Sequence, residues 1–216
     1  MLTKEHLLSS WRSMNVNEKL LKAFEAIPRE IFVPPKFQSQ AYDDHPLPTL
    51  REQSISQPTT IMLMLQALGL KEGEKVFEVG AGVGYQAALI AEVIGEKGKL
   101  VTTEIIPELV YIAQKHLRSL GFRNATILEA DGSEGYEVAA PYDRIIITAA
   151  CQAIPQPLVD QLREGGVIIA PVGDIETQMM VKGTKINENL EFEFLGTFCF
   201  VPMKGKYGFK EEEIRW

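Results

Sequence analysis

The feature that most constrains this chain is a regular alternation that begins at Glu74. KVFEVG is a short β-rich run, followed by a glycine turn and the helix-like YQAALIAEVIGE. KLVTTEI is a second strand, and PELVYIAQKHLRSLGF a proline-started helix that ends near a glycine. ATILEAD is a third strand, DRIIITAA a fourth, QPLVDQL a short helix and GGVIIAPVG a fifth strand. Near-continuously apolar strands alternating with helices predict a parallel sheet covered on both faces. Beyond Asp174 strand follows strand: QMMVKGTKI, then LEFEFLGTFCFVPM, with Asn187 and Asn189 in the turn. That pattern places an antiparallel hairpin at the edge of the parallel sheet. The expected fold class is therefore α/β, doubly wound and mostly parallel.

The first third is helical and irregular. Asn15 or Asn17 caps EKLLKAFEAI, whose Leu20, Leu21, Phe24 and Ile27 share one helical face, and Pro28 stops it. Phe32 to Pro58 is rich in proline and polar residues and has no sustained period. A connection of that length points to function. Pro58 then fits the first turn of a helix through IMLMLQALGL, closed by Gly69. No repeat, low-complexity segment or internal boundary divides residues 1–216. We expect one domain: an N-terminal helical and loop extension (1–73), an α/β core (74–174), and C-terminal strands with a tail (175–216).

Glu78-Val79-Gly80-Ala81-Gly82-Val83-Gly84-Tyr85 joins the first core strand to its helix. Glycines at such a joint let a ligand approach the backbone N–H groups of a helix N-terminus. A purely packing role is the alternative. The dinucleotide pattern GxGxxG needs glycine where this chain has Tyr85, which counts against a nicotinamide cofactor. Glu104 ends the second strand, near the ~20-residue offset at which a carboxylate meets a ribose hydroxyl pair; a solvated strand-end acid is the bland reading. Asp131-Gly132 closes the third strand at the same edge. There an aspartate either accepts from an adenine amino group or starts a turn. Ser54 and Ser56, in Gln53-Ser54-Ile55-Ser56-Gln57-Pro58, precede the Pro58 helix. A hydroxyl there either helps to hold a carboxylate beside unpaired N–H groups or caps the helix.

Composition removes several classes. Of 216 residues, 45% are hydrophobic and 24% charged, so disorder and collagen-like repeats are excluded. A net charge of −7 argues against nucleic acid or an anionic membrane as partner. Cys151 and Cys199 make no disulfide framework or zinc motif. No metal site is expected. The N-terminus lacks a signal-peptide core, and no apolar run approaches the ~20 residues of a membrane helix. We expect a soluble, cytoplasmic monomer.

The ordered series EVGAGVGY, TTEI, EADG, PYDRIIITAA and LREGGVIIAPVG resembles class I S-adenosylmethionine-dependent methyltransferases. The resemblance implies a Rossmann-like sheet and S-adenosyl-L-methionine as cofactor. Gly80 and Gly82 would approach its methionine part, Glu104 would bind the ribose, and Asp131 and Gly132 would border the adenine. Glu78 and Ile105 complete the implied cofactor set. A second resemblance is more specific. IPREIFVPPKF, AYDDHPLP, SISQP, PYDRIIITAA, GGVIIAPVG and FVPM are similar to protein-L-isoaspartate (D-aspartate) O-methyltransferases over most of residues 20–203. This implies Ser56 as the active-site serine, with Ser54 and Val201 of the Phe200-Val201-Pro202 segment on the peptide substrate. Thr59-Thr60 and Lys204 depart from the family pattern and bear on peptide specificity.

The implied acceptor is the free carboxylate of L-isoaspartyl residues in damaged proteins and peptides. Its ester would lose methanol through a succinimide and so start repair. A carboxylate with a pKa near ~4 is ionised at neutral pH and needs no general base. The rivals are a methyltransferase for a small molecule or RNA, and a non-catalytic module that only binds the cofactor. His6, His45 and His116 have no expected catalytic role. Cys151 is expected as a small buried hydrophobe, Met62 and Met64 as core, and Glu211 to Glu213 as a solvated tail.

Overall fold

The computed structural model describes residues 2–214 and opens on two short helices, α1 (Lys4–Ser13) and α2 (Glu18–Ala26). Of the two candidate caps, Asn17 is used: its side chain accepts from the Lys19 N–H, whereas Asn15 sits in the preceding turn at φ 57°. Leu20, Leu21, Ala23 and Phe24 of α2 are buried. The aperiodic stretch beyond Phe32 is ordered by its prolines and by tertiary contacts. It forms 3-10 turns at Arg29–Phe32 and Pro35–Gln40, then a two-rung hairpin of β1 (Leu47–Pro48) and β2 (Ser54–Ile55).

Helix α3 (Pro58–Leu68) starts on its proline and ends at Gly69, in the left-handed region at φ 65°. Its cap differs from expectation. Gln57 occupies the cap position, its side chain accepting from the Thr60 hydroxyl at 3.2 Å and from no backbone N–H, and neither serine caps the helix. Asp44 reaches in from the preceding loop, accepting from the Thr59 N–H at 2.9 Å and the Thr59 hydroxyl at 2.7 Å. Trp11 Nε1 donates to the same hydroxyl at 2.9 Å, tying α1 to this corner. A carboxylate at a helix N-terminus is favoured by the helix dipole.

The core alternates β3 (Lys75–Val79), α4 (Tyr85–Ile94), β4 (Lys99–Glu104), α5 (Pro107–Ser119), β5 (Ala125–Glu129), β6 (Tyr142–Ile147), α6 (Gln156–Gln161) and β7 (Leu162–Gly173). β8 (Gln178–Ile186) and β9 (Asn189–Phe198) follow. The seven-stranded sheet has the order β5-β4-β3-β6-β7-β8-β9. It is parallel from β5 to β7 and antiparallel at β7–β8 and β8–β9. The edge hairpin turns through Asn187 and Glu188, both at positive φ, and Asn189 already begins β9. Positive φ at both central residues is what a tight hairpin turn requires.

Successive strand residues feed opposite cores. Val76, Ile146 and Ile169 join the face packed by α1 to α5, while Phe77, Ile145, Ile147 and Ile168 join the other. That second face is thinly covered, with Leu158 and Val159 of α6 among the buried residues. Helix α4 is buried on nearly every side because it lies between the sheet and α2, which explains its almost unbroken apolar sequence.

The last strand ends earlier than LEFEFLGTFCFVPM suggests. β9 stops at Phe198, and the chain turns back over the sheet. The Ala150 N–H donates to the Val201 carbonyl, and the Met203 N–H to the Ala150 carbonyl, both at 2.8 Å. This crossing carries Val201 to Lys204 to the carboxyl ends of the parallel strands.

Candidate active site

The strand order reverses at β3, whose neighbours are β4 and β6. Open α/β sheets bind ligands in the crevice outside such a switch point. A cleft lies there, enclosing about 880 Å³ of empty space with its open mouth included. Its walls come from four segments: the β2 loop (Gln53 to Ser56), the glycine loop (Gly80 to Val83), the β4 end (Thr103 to Ile106) and the crossing strip (Val201 to Lys204). Thr148, Ala149, Ala130, Gly132, Tyr85 and Gln86 also line it.

The glycine loop is built from the backbone outward. Gly80 and Ala81 N–H groups both donate to the Thr103 carbonyl at 2.9 Å. The Thr148 hydroxyl donates to the Gly80 carbonyl at 2.7 Å, and a Cβ on Gly80 would stand 2.4 Å from that oxygen. Gly80 is thus required by packing. Gly82 differs: it has φ 53°, yet a Cβ there would meet nothing within 4 Å. Its vacant side belongs to the cleft wall.

Glu104 fastens this loop. One carboxylate oxygen accepts from the Gly82 N–H at 2.8 Å and the other from the Ile106 N–H at 3.0 Å. A carboxylate has about four acceptor positions, so two remain for a ligand. Burial pushes the Glu104 carboxyl above its ordinary range, while the N–H groups of Ile106, Gly82 and Ile105 and the charge of Lys204 pull it back. Ile105 is 41% exposed at the mouth, an apolar surface beside that carboxylate.

Glu78 and Asp131 are not on the cleft surface. Glu78 is wholly buried; one oxygen accepts from the Thr102 hydroxyl at 2.7 Å, and the other has no hydrogen-bond partner. Burial pushes its carboxyl up to about 7, Glu104 adds to the rise, and Thr102 and Gln86 oppose it. Asp131 uses both oxygens. Oδ1 accepts from the Ser133 N–H (2.9 Å) and hydroxyl (2.7 Å), and Oδ2 from the Lys206 N–H at 2.7 Å. Of its two sequence readings, the turn is the one these bonds display. They add a clasp on the C-terminal strip, strengthened by the Tyr207 N–H donating to the Ser133 hydroxyl at 3.1 Å.

Ser54 is exposed and Ser56 half-buried, both on the cleft wall. Neither hydroxyl has a partner among the described residues, so both are available to a ligand. Val201 also lines the cleft. The sequence reading did not single out Arg29, Asp44, Gln86 or Thr148. Thr148 was visible as the polar residue closing an apolar strand; the others act through distant partners that spacing does not reveal.

None of the three histidines lines the cleft. His6 and His45 are exposed, and His116 holds the Val83 carbonyl through Nδ1 at 2.8 Å. Cys151 is buried and burial pushes its thiol up to about 12, whereas Cys199 is exposed; both are free thiols. Met62 and Met64 are core. Glu211 to Glu213 are exposed, with Glu213 accepting from Gln152 and from the Lys210 N–H. Among the described residues no group of three or more His, Cys, Asp or Glu is placed to hold a metal, and no helix is long and apolar enough to cross a membrane.

A glycine loop, a strand-end acid and a reversed strand order at one crevice make this a Rossmann-like site suited to a nucleoside-bearing ligand. A family model described as protein-L-isoaspartate(D-aspartate) O-methyltransferase matches residues 2–208. The chain belongs to that family. It is 42% identical to protein-L-isoaspartate O-methyltransferase 2 of Archaeoglobus fulgidus over 92% of this chain and 91% of that one. Identity to the corresponding enzyme of Dictyoglomus turgidum is 46%, over 90% and 87%. A solved protein-L-isoaspartate O-methyltransferase superposes with a TM-score of 0.87 at 30% identity, over 95% of this chain and 67% of that chain.

Proposed function

We propose that this cleft carries out the family's reaction, methyl transfer from S-adenosyl-L-methionine to the free carboxylate of L-isoaspartyl residues in damaged proteins, with Ser56 holding the acceptor. The observation that carries the assignment is an unpartnered Ser56 hydroxyl lining the same cleft as the glycine loop, beside a helix whose cap Asp44 already provides. The residues present fit the cofactor. The vacant side of Gly82 admits it, Glu104 keeps two acceptor positions for ribose hydroxyls, and Gly80, Ile105 and Gly132 complete the bed. Glu78 and Asp131 support that bed from behind: Glu78 pairs with Thr102 of the adjoining strand, and Asp131 fixes the strip that closes it.

When bound, S-adenosylmethionine supplies a methyl group activated by its sulfonium. The protein's own part is positioning. Ser56 donates to an ionised carboxylate, Ser54 lies at the rim, and Val201 offers backbone beside the incoming peptide. No side chain has to remove a proton, because the acceptor is already ionised at neutral pH. Orientation and exclusion of water supply the acceleration. The ester then closes to a succinimide as methanol leaves, which starts repair.

Glu104→Gln is expected to weaken S-adenosylmethionine binding by roughly 10–50-fold, because the amide loses charge and one of its two acceptor sides. Calorimetric titration checks this, and a Kd within about twofold of wild type refutes the assignment. The function itself is tested by labelled methyl transfer to an isoaspartyl peptide and its aspartyl twin. The expected preference is about 100-fold, the scale on which a pocket tells a one-carbon displacement. Equal labelling, or none, rules the reading out. We also take the protein to act as a cytoplasmic monomer without nucleic acid. Two free thiols suit a reducing compartment, and a net charge of −7 disfavours nucleic acid.

A further inference from the structure

Arg29 has a surface-type side chain in a core position: its exposure is 0%. It opens the Arg29–Phe32 turn and spans two segments distant in sequence. Nε donates to the Ala41 carbonyl and Nη2 to the Ser56 carbonyl, each at 2.8 Å. The guanidinium carbon lies 4.9 Å from the ring centre of Tyr85, which lines the cleft. Nη1 is buried without a partner, as is the Tyr85 hydroxyl. No ion pair among the described residues includes Arg29. The nearby acid that favours its charge is Asp44, whose oxygens are already committed to Thr59.

A buried cation without a carboxylate partner is costly, and packing alone gives no reason to keep it. Arginine stays charged even when desolvated. Its planar fork suits two carbonyls fixed in different directions better than an ammonium does. Here one of those carbonyls belongs to the residue that presents the acceptor hydroxyl. The same charge sits one hydrogen bond behind that residue and offsets the Asp44 carboxylate that occupies the N-terminus of α3, a charge that would otherwise repel an anion there.

We propose that Arg29 is a positioning residue for the acceptor carboxylate: it fixes the backbone of Ser56 and places a buried positive charge with no direct ion-pair partner behind the corner that receives the substrate. The proposal rests on the reading of Ser56 given above. It predicts that Arg29 governs the acceptor and not the cofactor, although both share the cleft.

The test measures KM and kcat for an isoaspartyl peptide at saturating S-adenosylmethionine, together with the Kd of S-adenosylmethionine, in wild type, Arg29→Lys, Arg29→Gln, Ser56→Ala and the Arg29→Gln/Ser56→Ala double variant. Arg29→Gln is expected to raise peptide KM at least about 10-fold, with the cofactor Kd changed less than about twofold. Arg29→Lys keeps the charge but not the fork, so it should fall between wild type and Arg29→Gln. Ser56→Ala should cost less than about threefold in the Arg29→Gln background, because a displaced hydroxyl has little left to lose. Peptide KM within twofold of wild type in Arg29→Gln, full additivity with Ser56→Ala, or cofactor and peptide affinities falling in step would each overturn the proposal. If Arg29→Gln does not fold, Arg29→Lys decides: about threefold or more in peptide KM with an unchanged cofactor Kd supports it, and wild-type behaviour refutes it. A wild-type protein that labels no isoaspartyl peptide refutes the functional reading instead.

Discussion

Ser56→Ala is expected to lower kcat/KM for an isoaspartyl peptide by roughly 10–100-fold while leaving the Kd of S-adenosylmethionine within about twofold. A hydrogen bond to a charged group is worth about 1.5–3 kcal/mol, and each 1.4 kcal/mol is tenfold. The substitution is clean because the hydroxyl makes no bond within the protein and does not cap α3, which Asp44 serves. Stability should therefore change by less than about 0.5 kcal/mol. Ser54 is the natural control. It sits at the exposed rim of the same wall, so Ser54→Ala should cost only a few-fold. Steady-state kinetics on both variants separates the roles, and unimpaired turnover in Ser56→Ala removes this serine from the mechanism.

The second large effect concerns Glu78, whose carboxyl burial lifts to about 7 from an ordinary 4.5. The raised value means that the folded protein holds a proton in a range where the unfolded chain has released it. With the native state binding more protons, stability falls as pH rises. The loss begins near 4.5, runs up to about 7, and is complete above that. Its size is on the order of 2–3 kcal/mol. Glu78→Gln keeps the shape and an acceptor for the Thr102 hydroxyl but cannot ionise. Urea unfolding of both proteins from pH 5 to pH 8 should show the variant gaining on wild type by about that amount across the window. Taking the difference cancels the titrating groups that do not interact with Glu78. A gap that does not vary with pH would mean that Glu78 is not the buried titrating group described.

The α/β alternation was legible because strands buried on both faces leave unbroken apolar runs, and each helix start carried a proline or glycine signal. Even the antiparallel edge showed, since nothing helical separates QMMVKGTKI from LEFEFLGTF. The stretch from 32 to 58 was opaque for a physical reason. Its order comes from Arg29, Asp44 and paired prolines acting at long range, and such bonds leave no period. The cleft positions of Gly82 and Glu104 could be read from the sequence, because both lie where the topology puts them, at the ends of adjoining strands. Ser56 could not be told from a helix cap by spacing; only the likeness of SISQP to a known family favoured it. Asp131 adds a bond that no local pattern shows: its Lys206 partner lies 75 residues away.

The clasp of Asp131 and Ser133 on the C-terminal strip has a thermodynamic consequence. Lys206 and Tyr207 are tied to the loop after β5, while Val201 to Lys204, a few residues earlier, form the wall against which a peptide would lie. On the proposed reading, donor pocket and acceptor wall would be two ends of one strip of chain. To whatever degree a bound nucleoside firms that strip and helps a peptide to bind, the peptide must return the same factor to the nucleoside, because coupling between two sites is reciprocal. Product departure then inherits the same linkage: releasing the methylated peptide loosens the hold on the spent donor.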